Sequence, residues 1–305
     1  MQTMVAIGGF DNMSVAEELA CRFNSLLKEG LPDATEEHGI RQYYPRALDQ
    51  ANGANLDREA CFIDNSTRVA YASTRSLFAP AVTEGLYRSI DSFLLASVRP
   101  DAEANILDVG CGTGRTIYDC APLLPKALFV GLDRSLPMCR RARQILVEGQ
   151  HIPLPSLGRQ GFPNLVFREA KDLKNVVIVQ GSAVELPFRT DICDALTSTM
   201  LIDRVADPQS AIAEMVRVTK PGGTIILATP LNLAQQEKWA ILGDLNKLEQ
   251  AVSEAGTQVR EKFDGLIYRE IIDARGNCSE WCVCVIVAEK RQAVVATTGV
   301  SRNGG

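Results

Sequence analysis

An α/β chain is expected: a doubly wound, mostly parallel seven-stranded sheet with helices on both faces, preceded by a helical N-terminal segment. Short apolar runs of strand length recur between residues 105 and 230, separated by segments with helical periodicity. That alternation builds parallel sheets through crossover helices. The first run, Asn105-Ile106-Leu107-Asp108-Val109, opens directly into glycines at 110, 112 and 114. The second, Ala127 to Leu132, ends on the acidic Asp133. Right-handed crossovers gather such loops at the carboxyl edge of the sheet, so a ligand crevice is expected there.

Ahead of the sheet, Ser14 followed by Glu17 reads as a capping box. Val15, Leu19, Phe23, Leu26 and Leu27 then supply an apolar helix face up to Gly30. Pro32, Pro45 and Gly53 amid mixed polarity suit loops and short helices over 31–55. A helix over 83–95 runs toward Pro100 and delivers the chain into the first strand.

Without a Cβ, the glycines at 110, 112 and 114 let the backbone take positive φ and bring its amides against a ligand. Their spacing is G-x-G-x-G. A dinucleotide fingerprint would require glycine at 115, where Arg115 stands, and this disfavours NAD or FAD. A crossover helix over 116–124 stops before Pro125. About twenty positions past the glycines, Asp133 is placed to accept from ribose hydroxyls or to cap the next helix, over 138–149. Residues 151–174 break the alternation and read as an insertion, either a specificity loop or a surface excursion.

Strands follow at 176–180 and 191–199, then a helix over 208–218, a tight turn at Lys220-Pro221-Gly222-Gly223 and a strand at 224–228. A helix within 237–255, a strand near 263–272 and its antiparallel partner at 281–287 close the fold. The resulting organisation is a cap over 1–100, a core over 101–290 carrying the insertion, and a polar, flexible tail over 291–305.

Three motifs carry a resemblance. Asp108-Val109-Gly110-Cys111-Gly112-Thr113-Gly114 matches D-x-G-x-G-x-G after a hydrophobic strand. Gly181-Ser182-Ala183-Val184-Glu185-Leu186-Pro187-Phe188 is close to G-D-A-x-x-L-P-F, and a K-P-G-G turn precedes the fifth strand. In these, over residues 105–230, the chain resembles the class I S-adenosylmethionine-dependent methyltransferases, of the small-molecule, type 11-like kind. The resemblance implies a Rossmann-like methyltransferase fold, S-adenosyl-L-methionine as cofactor and S-adenosyl-L-homocysteine as product. It puts Asp108 near the cofactor's amino group, Gly110, Cys111, Gly112 and Gly114 beside its tail, and Asp133 with the adjoining Arg134 at its ribose. Gly181, Ser182 and Ala183 fall near the adenine, and Thr199 and Met200 where methyl group and acceptor meet. Ser182 stands in place of the family's Asp, which weakens the adenine contact because a hydroxyl is uncharged.

The implied activity is in-line methyl transfer to a small organic molecule, such as a specialised metabolite. Aminopropyl transfer or cyclisation in the same crevice is an alternative, and so is a non-catalytic, cofactor-binding partner subunit. The family often carries Glu-His after the fourth strand, but Asp203-Arg204 stands here, leaving no imidazole at that point. Candidates for acid–base chemistry or acceptor contact are His38, Tyr43, His151 and Asp203. A surface imidazole at His38, core packing at Tyr43 and a helix cap at Asp203 are the plainer readings, and nothing orients His151. Tyr44, Tyr71 and Arg75 join Tyr43 as candidates for a cover over the crevice.

With 46% hydrophobic and 23% charged residues, the composition is that of an ordinary globular protein. A net charge of −5 without a dense Lys/Arg stripe argues against a nucleic-acid partner, and Arg140-Arg141-Ala142-Arg143 reads as a solvated helix face. No apolar run reaches membrane-spanning length, and the apolar start at Met1–Phe10 lacks a basic leader. Nine cysteines without framework spacing suggest reduced thiols and a cytoplasmic setting. Cys278, Cys282 and Cys284 read as small hydrophobes rather than zinc ligands, so no metal is expected. The partner expected is a small-molecule substrate, and a homodimer is left open.

Overall fold

The structure, a computed structural model, describes residues 14–31, 34–37, 39–43, 80–150, 170–233, 236–271 and 278–292. Its strands are β1 (Thr35–Glu37), β2 (Ile40–Gln42), β3 (Asn105–Val109), β4 (Leu128–Asp133), β5 (Val176–Gln180), β6 (Cys193–Thr199), β7 (Thr219–Thr229), β8 (Thr257–Ile271) and β9 (Cys278–Lys290). They form one nine-stranded sheet in the order β1-β2-β5-β4-β3-β6-β7-β9-β8. From β2 to β7 every pairing is parallel, while β1 with β2, β7 with β9 and β9 with β8 are antiparallel.

The expected seven strands are all present, and the count is corrected to nine by a hairpin, β1–β2, in a stretch expected to hold loops and short helices. Three-residue strands are too short to display alternation, and Thr35-Glu36-Glu37 is wholly exposed. Backbone bonding holds them instead: β2 lies parallel to β5, and Tyr43 N donates to Gln180 O at 2.8 Å. Arg140 pairs with Glu37, tying the hairpin to the helix that follows β4.

Helices cover both faces. On one lie α2 (Pro80–Ser97), α3 (Arg115–Cys120) and α4 (Leu136–Leu146), packing Leu86, Ile90, Ile117 and Ile145 over Ile106 and Phe129. The other face carries α1 (Val15–Ser25), α5 (Pro208–Val218) and α7 (Leu245–Glu254), with Phe23, Met215 and Leu248 over Leu107, Val130 and Leu196. Burying each such side chain stabilises by about 1.5–3 kcal/mol, so the two faces supply most of the driving force.

The capping box at α1 is formed, with Glu17 N donating to Ser14 Oγ at 3.3 Å and Ser14 N to Glu17 Oε2 at 2.7 Å. The side chain of Arg22 reaches Ala104 O at 2.7 Å and Lys126 O at 2.9 Å, so α1 braces the amino edge of the sheet, away from the crevice. Four other expectations shift. Pro122 turns the end of the first crossover helix into a 3-10 turn at Ala121–Leu123. Gly243 divides the helix expected over 237–255 into α6 (Gln236–Leu242) and α7, with Asp244 capping the second through Lys247 N at 3.0 Å. Lys220-Pro221-Gly222-Gly223 is a bulge inside β7, where Gly222 has φ +80° and Lys220 Nζ meets Asp194 Oδ1 at 2.7 Å. Finally, β8 begins six residues before the expected 263. Among the described residues, no helix is long and apolar enough to cross a membrane.

Candidate functional site

The glycine turn leaves β3 with φ of +76° at Gly110, +54° at Gly112 and +81° at Gly114. A Cβ at Gly114 would come within 2.4 Å of Leu146 Cδ1, a fully buried side chain of α4, so packing as well as conformation demands glycine there. At Gly112 a Cβ would meet nothing within 4 Å. The backbone at that point therefore faces open space.

Hydrogen bonds fix the turn to β4. Gly110 N and Cys111 N both donate to Leu132 O, at 2.7 and 3.0 Å. Gly112 N donates to Asp133 Oδ2 at 2.8 Å, while Ser135 N donates to Asp133 Oδ1 at 2.8 Å. Asp133 thus joins the turn to the start of α4, and Ser135 rather than Asp133 caps that helix, accepting from Met138 N at 3.4 Å. Each carboxylate oxygen keeps a further lone pair for a ligand hydroxyl. Burial lifts the Asp133 pKa above the usual range, although the amides of Ser135, Gly112 and Arg134 oppose it. Replacing Gly112 with alanine should cost only about 1 kcal/mol of stability. The same methyl group would project into the open space, so nucleotide-cofactor affinity should fall roughly tenfold or more, as calorimetry beside thermal melting would register.

Inside β3, Asp108 accepts from Thr197 Oγ1 of β6 at 2.8 Å, across directly paired positions. Burial raises its pKa to about 7; the Thr197 bond opposes the shift and the Asp133 charge adds to it. A carboxyl raised above its unfolded value stabilises below the ordinary carboxylate pKa and loses that contribution as pH rises through about 7. Asp108→Asn should therefore gain stability relative to the wild type between about pH 4 and 7, by on the order of 4 kcal/mol. Urea denaturation at several pH values would measure the difference.

Beside β4, Gly181 N donates to Asp133 O at 3.0 Å and Gln180 Nε2 to Arg134 O at 2.8 Å. Ser182 and Ala183 are buried in a loop clamped on two sides: Leu186 N donates to Glu214 Oε2 at 2.8 Å, and Lys28 N to Pro187 O at 3.0 Å. Tyr43 adjoins this loop through its bond to Gln180, half-buried against the core. Cys111 is buried too, which pushes its thiol well above its ordinary pKa.

At the end of β6, Met200 takes φ +60°, a conformation costing about 1 kcal/mol or more for a side-chain-bearing residue, and its amide donates to Ala228 O at 2.7 Å. Asp203 is buried and accepts from Thr229 Oγ1 at 3.1 Å, and that oxygen in turn accepts from Leu231 N at 3.1 Å. This geometry makes Asp203 a tie between the ends of β6 and β7. His38, Tyr44, Tyr71, Arg75 and His151 lie outside the described residues.

Sequence reasoning missed a buried polar cluster under the turn. Arg115, 4% exposed, donates from Nε to Asp119 Oδ2 at 2.8 Å, and its guanidinium lies 5.1 Å from the ring centroid of Tyr87. Tyr87 meets Tyr268 edge-on at 6.2 Å. Asp91 of α2 accepts from Cys120 Sγ at 3.5 Å, and burial with the neighbouring Asp119 charge raises its pKa to about 8. The i,i+4 spacing of Arg115 and Asp119 was the one local signal. Among the described residues, no group of three or more His, Cys, Asp or Glu could hold a metal ion. Cys284 donates instead to Asp264 Oδ1 at 3.2 Å.

Glycine amides heading a crossover helix, a carboxylate at the end of the adjacent strand and a strand order that reverses direction at β3 define a nucleotide-cofactor-binding α/β protein. A methyltransferase-domain family profile matches residues 100–276, more than half of the chain. The chain belongs to that family, within the class I S-adenosylmethionine-dependent methyltransferases.

It is 31% identical over 144 residues to a demethylmenaquinone methyltransferase of Roseiflexus castenholzii, covering 47% of this chain and 50% of the relative. To a ubiquinone/menaquinone biosynthesis C-methyltransferase of Syntrophotalea carbinolica it is 33% identical over 136 residues, covering 44% and 48%. The chain spans about half the length of the curated relatives it matches. Among solved structures, a putative sarcosine dimethylglycine methyltransferase from Galdieria sulphuraria superposes with a TM-score of 0.48 at 14% identity, over 68% of this chain and 85% of the other.

Proposed function

We propose that this chain transfers a methyl group from S-adenosylmethionine to a small organic acceptor. The observation that carries the reading is the glycine turn, joined through Gly112 N to the Asp133 carboxylate while its backbone faces open space. That cradle fits the tail and ribose of the cofactor: Asp133 would accept from ribose hydroxyls, Gly110, Cys111, Gly112 and Gly114 would flank the tail, and Ser182 with Ala183 would border the adenine. Asp108 would meet the α-ammonium. An ammonium beside Asp108 favours the ionised carboxylate, so cofactor affinity should rise with pH toward about 7.

The cofactor supplies an electrophilic methyl group. The protein's part is to orient the acceptor in line with it and to keep water out, a role that in this reading falls to Thr199 and Met200 at the end of β6. Menaquinone- and ubiquinone-pathway methyltransferases among the relatives support a small-molecule acceptor. Calorimetric titration of the folded protein with S-adenosylmethionine and S-adenosylhomocysteine tests the reading, with micromolar binding expected. Absence of binding would overturn it, and label transferred from methyl-labelled cofactor to a small acceptor would separate methylation from other uses of the crevice.

A further inference from the structure

Among the described residues, several buried polar side-chain atoms lack a hydrogen-bond partner. Two of them near the carboxyl edge, Thr199 Oγ1 and Trp281 Nε1, share one face of the sheet, while Ser198 Oγ, beside Thr199, belongs to the other. Buried donors left unpaired are rare and costly, so each asks for a partner from outside the chain. Both lie on the sheet face that carries α2. Thr199 shares its side with Thr197, which bonds Asp108, and Trp281 shares its side with Val283 and Val285. The last pairing of β9 with β7 is Cys284 with Thr229. Beyond it β9 pairs only with β8, as far as Cys278 with Ile271, so a two-stranded ribbon rises past the carboxyl edge. Trp281 stands on this ribbon opposite Tyr268, whose ring meets Tyr87 of α2, itself stacked under Arg115 at the cofactor turn. An aromatic wall therefore runs from the glycine turn to the ribbon.

Strand register gives its span. Thr199 pairs with Ala228, and Ala228 with Val285, four residues from Trp281. Two strand spacings of about 4.8 Å and four residues at about 3.3 Å put the two α-carbons roughly 16 Å apart. Side chains on one face stand roughly parallel, so the gap stays near the α-carbon spacing and, with a polar contact at each end, suits a molecule about two fused rings long.

Building on the methyltransferase reading, we propose that this wall seats the methyl acceptor, a flat, largely apolar ring system whose carbonyl-type oxygen accepts from Trp281 Nε1–H while the end to be methylated lies at Thr199. Indole Nε1 is a donor only, so the matching ligand atom must be an acceptor. Docking parts the side chains that close over the two atoms and gives each a bond that the chain does not supply.

The test uses the full chain, with chromone as probe and naphthalene, a fused pair of rings without oxygen, as control. The protein has two tryptophans. Trp239 Nε1 already donates to Leu233 O at 2.9 Å, so two indole N–H resonances are expected in a 1H–15N spectrum, assigned with Trp239→Phe. Chromone should move the Trp281 resonance downfield, and naphthalene should not. Trp281→Phe should weaken chromone by about 3- to 10-fold and leave naphthalene unchanged. A Trp281 resonance that ignores chromone up to its solubility limit, or responds alike to both compounds, would overturn the subsite. Calorimetry with S-adenosylhomocysteine on the same sample decides the methyltransferase reading independently of that result.

Discussion

Arg115→Leu should destabilise the protein by about 3–5 kcal/mol in urea denaturation at pH 7, a large part of the roughly 5–15 kcal/mol that holds a domain together. The guanidinium is almost fully buried, bonded to Asp119 and stacked on Tyr87. Its loss leaves the Asp119 carboxylate beside Asp91 in a setting with little water. Asp91→Asn should instead gain stability at pH 7, because burial and Asp119 keep Asp91 protonated in the fold while an unfolded carboxyl is ionised there, a cost that asparagine does not carry. The contrast isolates charge from packing. Pairing Arg115→Leu with Asp119→Leu should recover much of the loss, since an apolar pair of similar volume replaces a buried ion pair at little cost. A cost below about 1 kcal/mol for Arg115→Leu alone would mean that the pair is solvated and the account is wrong. The pH profile gives a second check. With its pKa raised to about 8, Asp91 contributes fully below about pH 4 and loses that contribution as pH rises toward about 8; Asp91→Asn should remove this loss.

The central strands could be read from the sequence because both of their faces are buried. Leu128 to Leu132 and Val176 to Val179 appear as continuous apolar runs, and Ile106 to Val109 as one broken only by Asp108, so none needs long-range information. Edge elements hide for the opposite reason. In β8, Gln258, Arg260 and Lys262 are exposed and the ladder slips twice, so its first six residues carry no strand signal. The hairpin β1–β2 is held by backbone pairing to β5, which composition does not report. At the site, Asp108, Gly112 and Asp133 stood out by type and spacing. Their partners did not: Thr197 is 89 positions from Asp108, and the amides that hold Asp133 are common to every residue. Arg115 entered the sequence argument only as the residue that breaks a dinucleotide fingerprint. Its stacking partner lies on α2, ahead of β3, and only the fold brings the two together.

Asp133→Ala should lower affinity for S-adenosylhomocysteine by at least about 100-fold, the largest binding loss expected of any single change here, because two charge-assisted bonds to ribose hydroxyls would be lost together. The variant also frees Gly112 N and Ser135 N, so part of the effect would be looser support of the turn rather than a missing contact. Asp133→Asn separates the two causes poorly, since its amide NH2 would face one of those donors. A better control is the ligand. Decarboxylated or deaminated analogues keep the ribose, so against them Asp133→Ala should lose the same factor as against the full compound. A 2′,3′-dideoxy analogue lacks the hydroxyls, and with it wild type and variant should differ only by the cost of the loosened turn. If the dideoxy analogue shows the whole 100-fold difference, Asp133 acts by shaping the glycine turn. If Asp133→Ala binds the parent compound within about threefold of wild type, the ribose lies elsewhere and the cofactor placement fails with it.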